Sequence, residues 1–475
     1  MSIELKIRSL TCEEIACKTS GRLVQASSHN RPVRYVSTDS RDVGEDILFF
    51  AIRGERFDGH AFAAAAVRGG ATCLVCSEMP KDVSTLDCTV ILVEDTIKAL
   101  GALAAYYRTL AQVRVVAVTG SVGKTTTKEL IHHVLSESMQ THKTVGNFNN
   151  HIGLPLTIFA LSSEDRVAVL EMGMSARREI SYLSRIAQPD VAVITNVGTS
   201  HLEHLGTREN IAEAKMEIMD GLAKDGLLVI NGDEPLLAKA KERFPHVKTV
   251  SRKEIGADLS AMEEKTGETE LSYQLRTEDG TMTQVKLSVP GAHNVYNSMI
   301  AYAVGRAFGM EDEAILRGLT RFTGVAMRQN IFMWNNIKII EDCYNASPES
   351  MRAALDVLLR MERSEGGRHT ALLGDMLELG VNSASYHESV GRYAAEHGLE
   401  RLFAYGERAE DLVRGARLGG MADSAIHVWK DKSDPAAMAK ILKEVLIEND
   451  ILLVKASRGV AAEKVLACLC GDDRQ

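Results

Sequence analysis

The sequence has no excess of basic residues, no long apolar run and little proline, and each shortage removes a class of function. Lys and Arg number 55 against 64 Asp and Glu, a formal charge of −9. A general nucleic-acid binder holds phosphate backbones with surplus cations, which argues against that class. No apolar stretch approaches the ~20 residues that a membrane-spanning helix needs. The first ten residues, MSIELKIRSL, lack the basic start and apolar core of a secretory signal. The expectation is a cytoplasmic protein with no membrane insertion and no nucleic-acid partner. Only nine prolines occur, and there is no internal repeat, low-complexity tract or long disordered linker.

Cysteine chemistry is sparse as well. Eight cysteines are present, and Cys73 and Cys76 form a CxxC inside ATCLVCSE, an apolar run that reads as a buried strand. No second pair or His-rich partner segment follows at zinc-finger spacing, so reduced core thiols are expected.

The pattern that fills the chain is α/β. Short apolar strands alternate with helical segments nearly throughout, which predicts mostly parallel sheets with helices packed on them. DILFFAI, TCLVC and TVILVED are strands of a first region that closes with the helix TIKALGALAAYYRTL. A second series runs through VRVVAVTG, RVAVLEMG, VAVITNVG and GLLVIN, and a third begins with NIKIIEDCYN. With 475 residues the chain is too long for one core. Three domains are predicted, over residues 1–111, 112–325 and 326–475.

Parallel sheets bind ligands at the carboxyl ends of their strands. The polar residues that end the apolar runs are Lys124, Glu171, Asn196, Asp342, Asp375 and Lys455. Gly120-Ser121-Val122-Gly123-Lys124-Thr125 carries the GxxGKT half of a phosphate-binding loop, with Val118 where the first glycine usually stands. Backbone N–H groups at such a helix start face phosphate oxygens, and the helix dipole favours the anion. Lys124 would neutralise the β- and γ-phosphates, and the hydroxyl of Thr125 or Thr126 would hold Mg²⁺. Glu171, at a strand end, is a second candidate Mg²⁺ ligand. His201 lies just past another strand end. In TRENIAEAKMEIMDGL, Lys215 falls on the apolar stripe of Ile211, Ile218, Met219 and Leu222. A lysine buried there is costly unless it is paired or chemically changed.

Taken in order, TGSVGKTTT, EMG, TNVGTSHLEHLG followed by AKMEI, and PGAHNVYN resemble the central-domain motifs of the Mur ligases. EDCYNASPESMRAAL and LLGDMLELG resemble the branch of that family that adds a D-alanyl-D-alanine dipeptide. STDSRDVGEDILFFAIRGERFDGHAF resembles the family's uridine-nucleotide domain. The resemblance implies a uridine-nucleotide-binding α/β domain, a central mononucleotide-binding domain and a Rossmann-like C-terminal domain. It implies ATP, two Mg²⁺ ions and an acyl-phosphate route to a peptide bond. UDP-N-acetylmuramoyl-tripeptide and D-Ala-D-Ala would be the small-molecule substrates of a monomer.

Residue by residue, the resemblance implies Asn294 at the adenine, Arg328 at the phosphates and Asp342 near the ribose or the Mg²⁺–phosphate region. It implies a carbamate on Lys215, with His201 as the other protein ligand of the second metal. Ser37, Thr38, Asp39, Ser40 and Arg41 would hold the uridine nucleotide, and Tyr344, Asn345, Asp375 and Lys455 would line the acceptor side. In the family's usual VKGSR the glycine is Ala456 here. Two alternatives remain open at this level. One is a sister ligase that adds the third amino acid or glutamate to folate, and the other is a nucleotide-binding regulatory protein without catalysis.

Overall fold

The computed structural model describes residues 2–29, 31–54 and 57–471. It is an α/β protein, and the described residues form three sheets, of six, nine and six strands. By contacts the chain divides into two compact units. The first contains residues 1–119, 138–193 and 216–228, and the second contains 120–137, 194–215 and 229–475. Among the described residues no helix is long and apolar enough to cross a membrane.

In the first unit, the N-terminal sheet runs parallel from Tyr35–Ser37 through Ile47–Phe50 and Ala71–Cys76 to Thr89–Leu92. Antiparallel strands Ile3–Glu4 and Arg22–Gln25 close its two edges. The strand Ala71–Cys76 buries both CxxC cysteines as free thiols. Burial pushes Cys76 up to about 12, so it is a poor nucleophile. The same unit holds the parallel strands Arg114–Thr119, Val167–Glu171 and Thr141–Lys143. Arg114–Thr119 and Val167–Glu171 carry apolar runs, VVAV and VAVL, as strands covered on both faces of a parallel sheet do, whereas Thr141–Lys143 is polar.

In the second unit, Leu259–Thr266, Leu271–Thr277 and Met282–Leu287 form an antiparallel meander, the fold of the polar stretch GETELSYQLRTEDG. The C-terminal sheet is parallel in the order Ile337–Glu341, Ile451–Lys455, His369–Gly374, Arg401–Tyr405, Ile426–Trp429. A hairpin strand, Asn330–Trp334, caps one edge. Two buried apolar layers, one on each face, hold this sheet. The strand order places Asp342, Lys455 and Asp375 at the carboxyl ends of three adjacent strands.

The helix expected through Leu222 is shorter. It spans Arg208–Met216 and then tightens into a 3₁₀ turn over Glu217–Gly221. Ser184 explains the tightening on its side: its hydroxyl donates to Ile218 O and accepts from Gly221 N–H.

Candidate active site

The helix Lys124–Ser136 starts at Gly123, whose φ of 85° no side chain adopts cheaply. A Cβ on Gly123 would also meet Asn297 Oδ1 at 2.8 Å, so glycine is required twice over. Thr195 and Asn196, at the end of the strand Val191–Ile194, hold the loop from behind. Asn196 Oδ1 accepts from Ser121 N–H at 3.1 Å and Val122 N–H at 2.9 Å. Thr195 donates its hydroxyl to Val122 O at 2.6 Å. Lys124 curls over the loop, donating to Gly120 O at 2.8 Å.

The loop keeps capacity for a ligand. The Ser121 hydroxyl is buried and makes no hydrogen bond. The first-turn N–H groups of the helix have no intrahelical acceptor, and the dipole makes them an anion site.

Lys215 is 1% exposed. Burial, and then the charge of Lys124, hold it well below the ordinary lysine value, and no carboxylate contributes. Two cationic side chains thus sit within electrostatic reach of each other, one of them buried. The stripe position of Lys215 in the sequence placed it correctly.

His201 takes a left-handed φ of 66° at the start of the short helix Leu202–Leu205. Its Nδ1 is buried without an in-line hydrogen bond, and Glu378 Oε2 approaches it to 2.5 Å as an ion pair. Glu378 is held below the usual carboxylate range, first by His201 and also by His204 and Lys124. His204 itself is exposed.

Asn294 and Asn297 lie one turn apart on the helix His293–Ala307 and form a relay. Thr127 donates to Asn297 Oδ1 at 3.1 Å, Asn297 Nδ2 to Asn294 Oδ1 at 3.0 Å, and Asn294 Nδ2 to Pro290 O at 2.7 Å. Sequence reasoning missed Asn297, although the Asn-x-x-Asn spacing puts both amides on one helical face. Beside them opens a cavity of about 200 Å³ lined by Arg252, Gly291, His293, Tyr296, Asp356 and Arg360, among others. Burial drives His293 down to about 4, so the ring is neutral there.

Arg328 lies between two left-handed residues, Met327 and Gln329, and its guanidinium sits 4.3 Å from the Tyr344 ring centroid. Arg458 approaches the same ring at 6.0 Å. Asp342 and Lys455, assigned separately by the resemblance, are brought together. Lys455 Nζ donates to Asp342 Oδ2 at 2.7 Å and to Asn345 O at 3.1 Å. Asp375 is held differently. Its carboxylate is 1% exposed and accepts the N–H groups of Glu407 at 2.9 Å and Arg408 at 2.8 Å. It fixes the start of the loop at Glu407 and Arg408.

The first unit holds the remaining candidates. Glu171 is 2% exposed at its strand end, and its Oε1 accepts from Asn149 Nδ2 at 2.9 Å. Ser37 to Arg41 form a turn at the end of Tyr35–Ser37. The Ser37 hydroxyl accepts from Asp39 N–H, and Arg41 pairs bidentately with Asp39 at 2.9 and 2.7 Å. That pair holds the Asp39 carboxyl far below its ordinary value.

Family models describe this chain in three stretches. "Mur ligase family, catalytic domain" matches residues 32–108, "Mur ligase middle domain" matches 118–305, and "Mur ligase, glutamate ligase domain" matches 327–458. The chain belongs to the Mur ligase family. Within that family it is similar to UDP-N-acetylmuramoyl-tripeptide--D-alanyl-D-alanine ligase of Bacillus subtilis (strain 168), at 40% identity over 469 residues. That match covers 96% of this chain and 97% of the relative. The crystal structure of MurF from Acinetobacter baumannii superposes with a TM-score of 0.88 at 32% identity, covering 98% of this chain and 99% of that one. A MurF ligase from Thermotoga maritima, solved in complex with ADP, gives 0.80 at 33% identity, covering 91% and 96%.

Proposed function

We propose that this chain joins D-alanyl-D-alanine to UDP-N-acetylmuramoyl-tripeptide with conversion of ATP to ADP and phosphate, as the last cytoplasmic step toward the peptidoglycan pentapeptide precursor. The observation that carries the reading is the pair of lysines. Buried Lys215 lies close enough to Lys124 at the phosphate loop for that charge to add to burial in disfavouring its protonation, an arrangement that calls for anions. A γ-phosphate, a substrate carboxylate and a carbamate on Lys215 would supply them.

The residues divide the work. Ser121 and the first-turn N–H groups hold the phosphates, while Lys124 and Arg328 oppose charge that grows as the γ-phosphoryl group moves to the carboxylate. The acyl phosphate that results is open to attack by the dipeptide amine, and inorganic phosphate leaves. The neutral His293 borders a cavity sized for part of a planar base, and Asn294, next to it on the helix, would face the adenine. Asp342, fixed by Lys455, would face the ribose, and Tyr344 and Asn345 the acceptor side. Ser37 to Arg41 would take the uridine nucleotide.

The donors fit Mg²⁺: a hydroxyl, a carboxylate and a carbamate are hard oxygen ligands, His201 is held at its Nδ1 by Glu378, and Lys215 is buried within electrostatic reach of Lys124. Thr125 and Glu171 would each offer an oxygen to Mg²⁺, and His201 and carbamoylated Lys215 would hold a second ion. Bound there, Mg²⁺ would lessen the repulsion between phosphate and carboxylate. The protein acts as a monomer in this reading, with domains at 1–111, 112–325 and 326–475.

Phosphate release from ATP tests the substrate pair. It is expected only with UDP-tripeptide and D-Ala-D-Ala together. Equal release with a single amino acid as acceptor would overturn the assignment in favour of a sister ligase.

A further inference from the structure

The loop that follows the strand His369–Gly374 is anchored on every side, and it ends at His201. Met376 N–H donates to His387 Nε2 at 2.9 Å, and the buried His387 is itself oriented by its Nδ1 contact with Ser383 O at 2.7 Å. Leu377 N–H donates to Ser457 Oγ at 3.0 Å, and Ser457 N–H donates to Asp375 O at 3.0 Å. The Asp375 carboxylate is pinned by the two N–H groups described above. Glu378 completes the loop in a left-handed conformation, φ 62°, and its carbonyl accepts from Glu203 N–H at 3.2 Å.

His201 and Glu378 are thus two residues, neither glycine nor asparagine, that hold unfavourable backbone angles and face one another. Such strain persists where surrounding contacts over-determine it, and it concentrates at working sites. The carboxylate reaches His201 Nδ1 at 2.5 Å, and Nδ1 has no other acceptor. A histidine that ligates a metal through one nitrogen generally gives its other N–H to a carboxylate, which fixes tautomer and ring orientation.

We propose that Glu378 is a positioning residue for His201: it takes the Nδ1 proton in a hydrogen bond and keeps Nε2 unprotonated as the ligand atom. This rests on the reading of His201 as a metal ligand. The loop of the C-terminal sheet thereby completes the metal end of the phosphate site, and His387 and Ser457 serve to aim Glu378.

Mn²⁺ binding to the full-length protein with a non-hydrolysable ATP analogue, followed by electron paramagnetic resonance, separates the two ideas. Glu378→Ala is expected to weaken the second Mn²⁺ by about tenfold or more. Glu378→Gln, which keeps size and an acceptor oxygen, is expected to weaken it less. In a His201→Ala background, Glu378→Ala is expected to add nothing, since coupled residues are not additive. Mn²⁺ affinity within twofold of the parent in both Glu378 variants, with His201→Ala defective, would overturn the positioning role and leave the metal reading standing. Unchanged Mn²⁺ binding in His201→Ala would remove both.

Discussion

The phosphate loop and the carboxyl ends of the C-terminal sheet obey one topological rule and reach opposite states. Both follow parallel strands, where ligands are expected. At the loop, Thr195 and Asn196 occupy the backbone from behind, and the buried Ser121 hydroxyl is left without a partner. At the C-terminal sheet the charged groups satisfy one another: Lys455 with Asp342, and Asp375 with two backbone N–H groups. A strand end therefore marks a position, and the role depends on whether its polar groups are already spent.

The largest expected effect falls on the phosphate loop. Lys124→Met should lower kcat/KM by about 10²–10³-fold, the usual cost of losing one preorganised charge-stabilising group. A loss below tenfold in steady-state kinetics would mean that the loop binds without stabilising the transfer. On the spent side the effect should be on folding. Asp342→Ala leaves the Lys455 ammonium buried and unpaired, at about 3–5 kcal/mol. Urea unfolding should show this, and Asp342→Ala with Lys455→Met should recover most of it. Equal instability of the single and double variants would refute the pairing argument.

Asn196→Ala lies between the two regions in kind. It removes two accepted hydrogen bonds, so the KM for ATP should rise about tenfold while kcat stays within threefold, as one or two net hydrogen bonds predict. A fall in kcat with unchanged KM would place Asn196 in the transfer step.

The smallest effect concerns His293. Its folded value lies near 4, below the 6.5 of a free histidine. The folded state therefore binds fewer protons, so this contribution to stability is complete above about pH 6.5 and is lost as pH falls toward 4. His293→Phe should flatten that part of the stability profile measured by thermal melts. An unchanged profile would show that the ring is solvated.

The features legible in the sequence were those set by local spacing. The glycines and Lys124 announce the phosphate loop, the apolar stripe places Lys215 in the interior, and unbroken apolar runs mark the parallel strands. The features that were not legible join residues far apart in the chain. Glu378 gains meaning only when its loop meets His201, and Asn297 only when its helix meets Thr127. Asp375 ends its apolar run as expected, but its bonds to the N–H groups of Glu407 and Arg408 come from a loop 32 and 33 residues on. The helix after Arg208 stops early because Ser184, on another element, captures its end. Local periodicity carries no information about such partners.

The central claim is that the γ-phosphoryl group passes to the substrate carboxylate before the amine attacks. UDP-tripeptide labelled with ¹⁸O in its terminal carboxylate tests this directly, with mass spectrometry of the phosphate released during turnover with D-Ala-D-Ala. Transfer through an acyl phosphate predicts one ¹⁸O in the phosphate for each peptide bond formed. Unlabelled phosphate alongside normal peptide formation would contradict it.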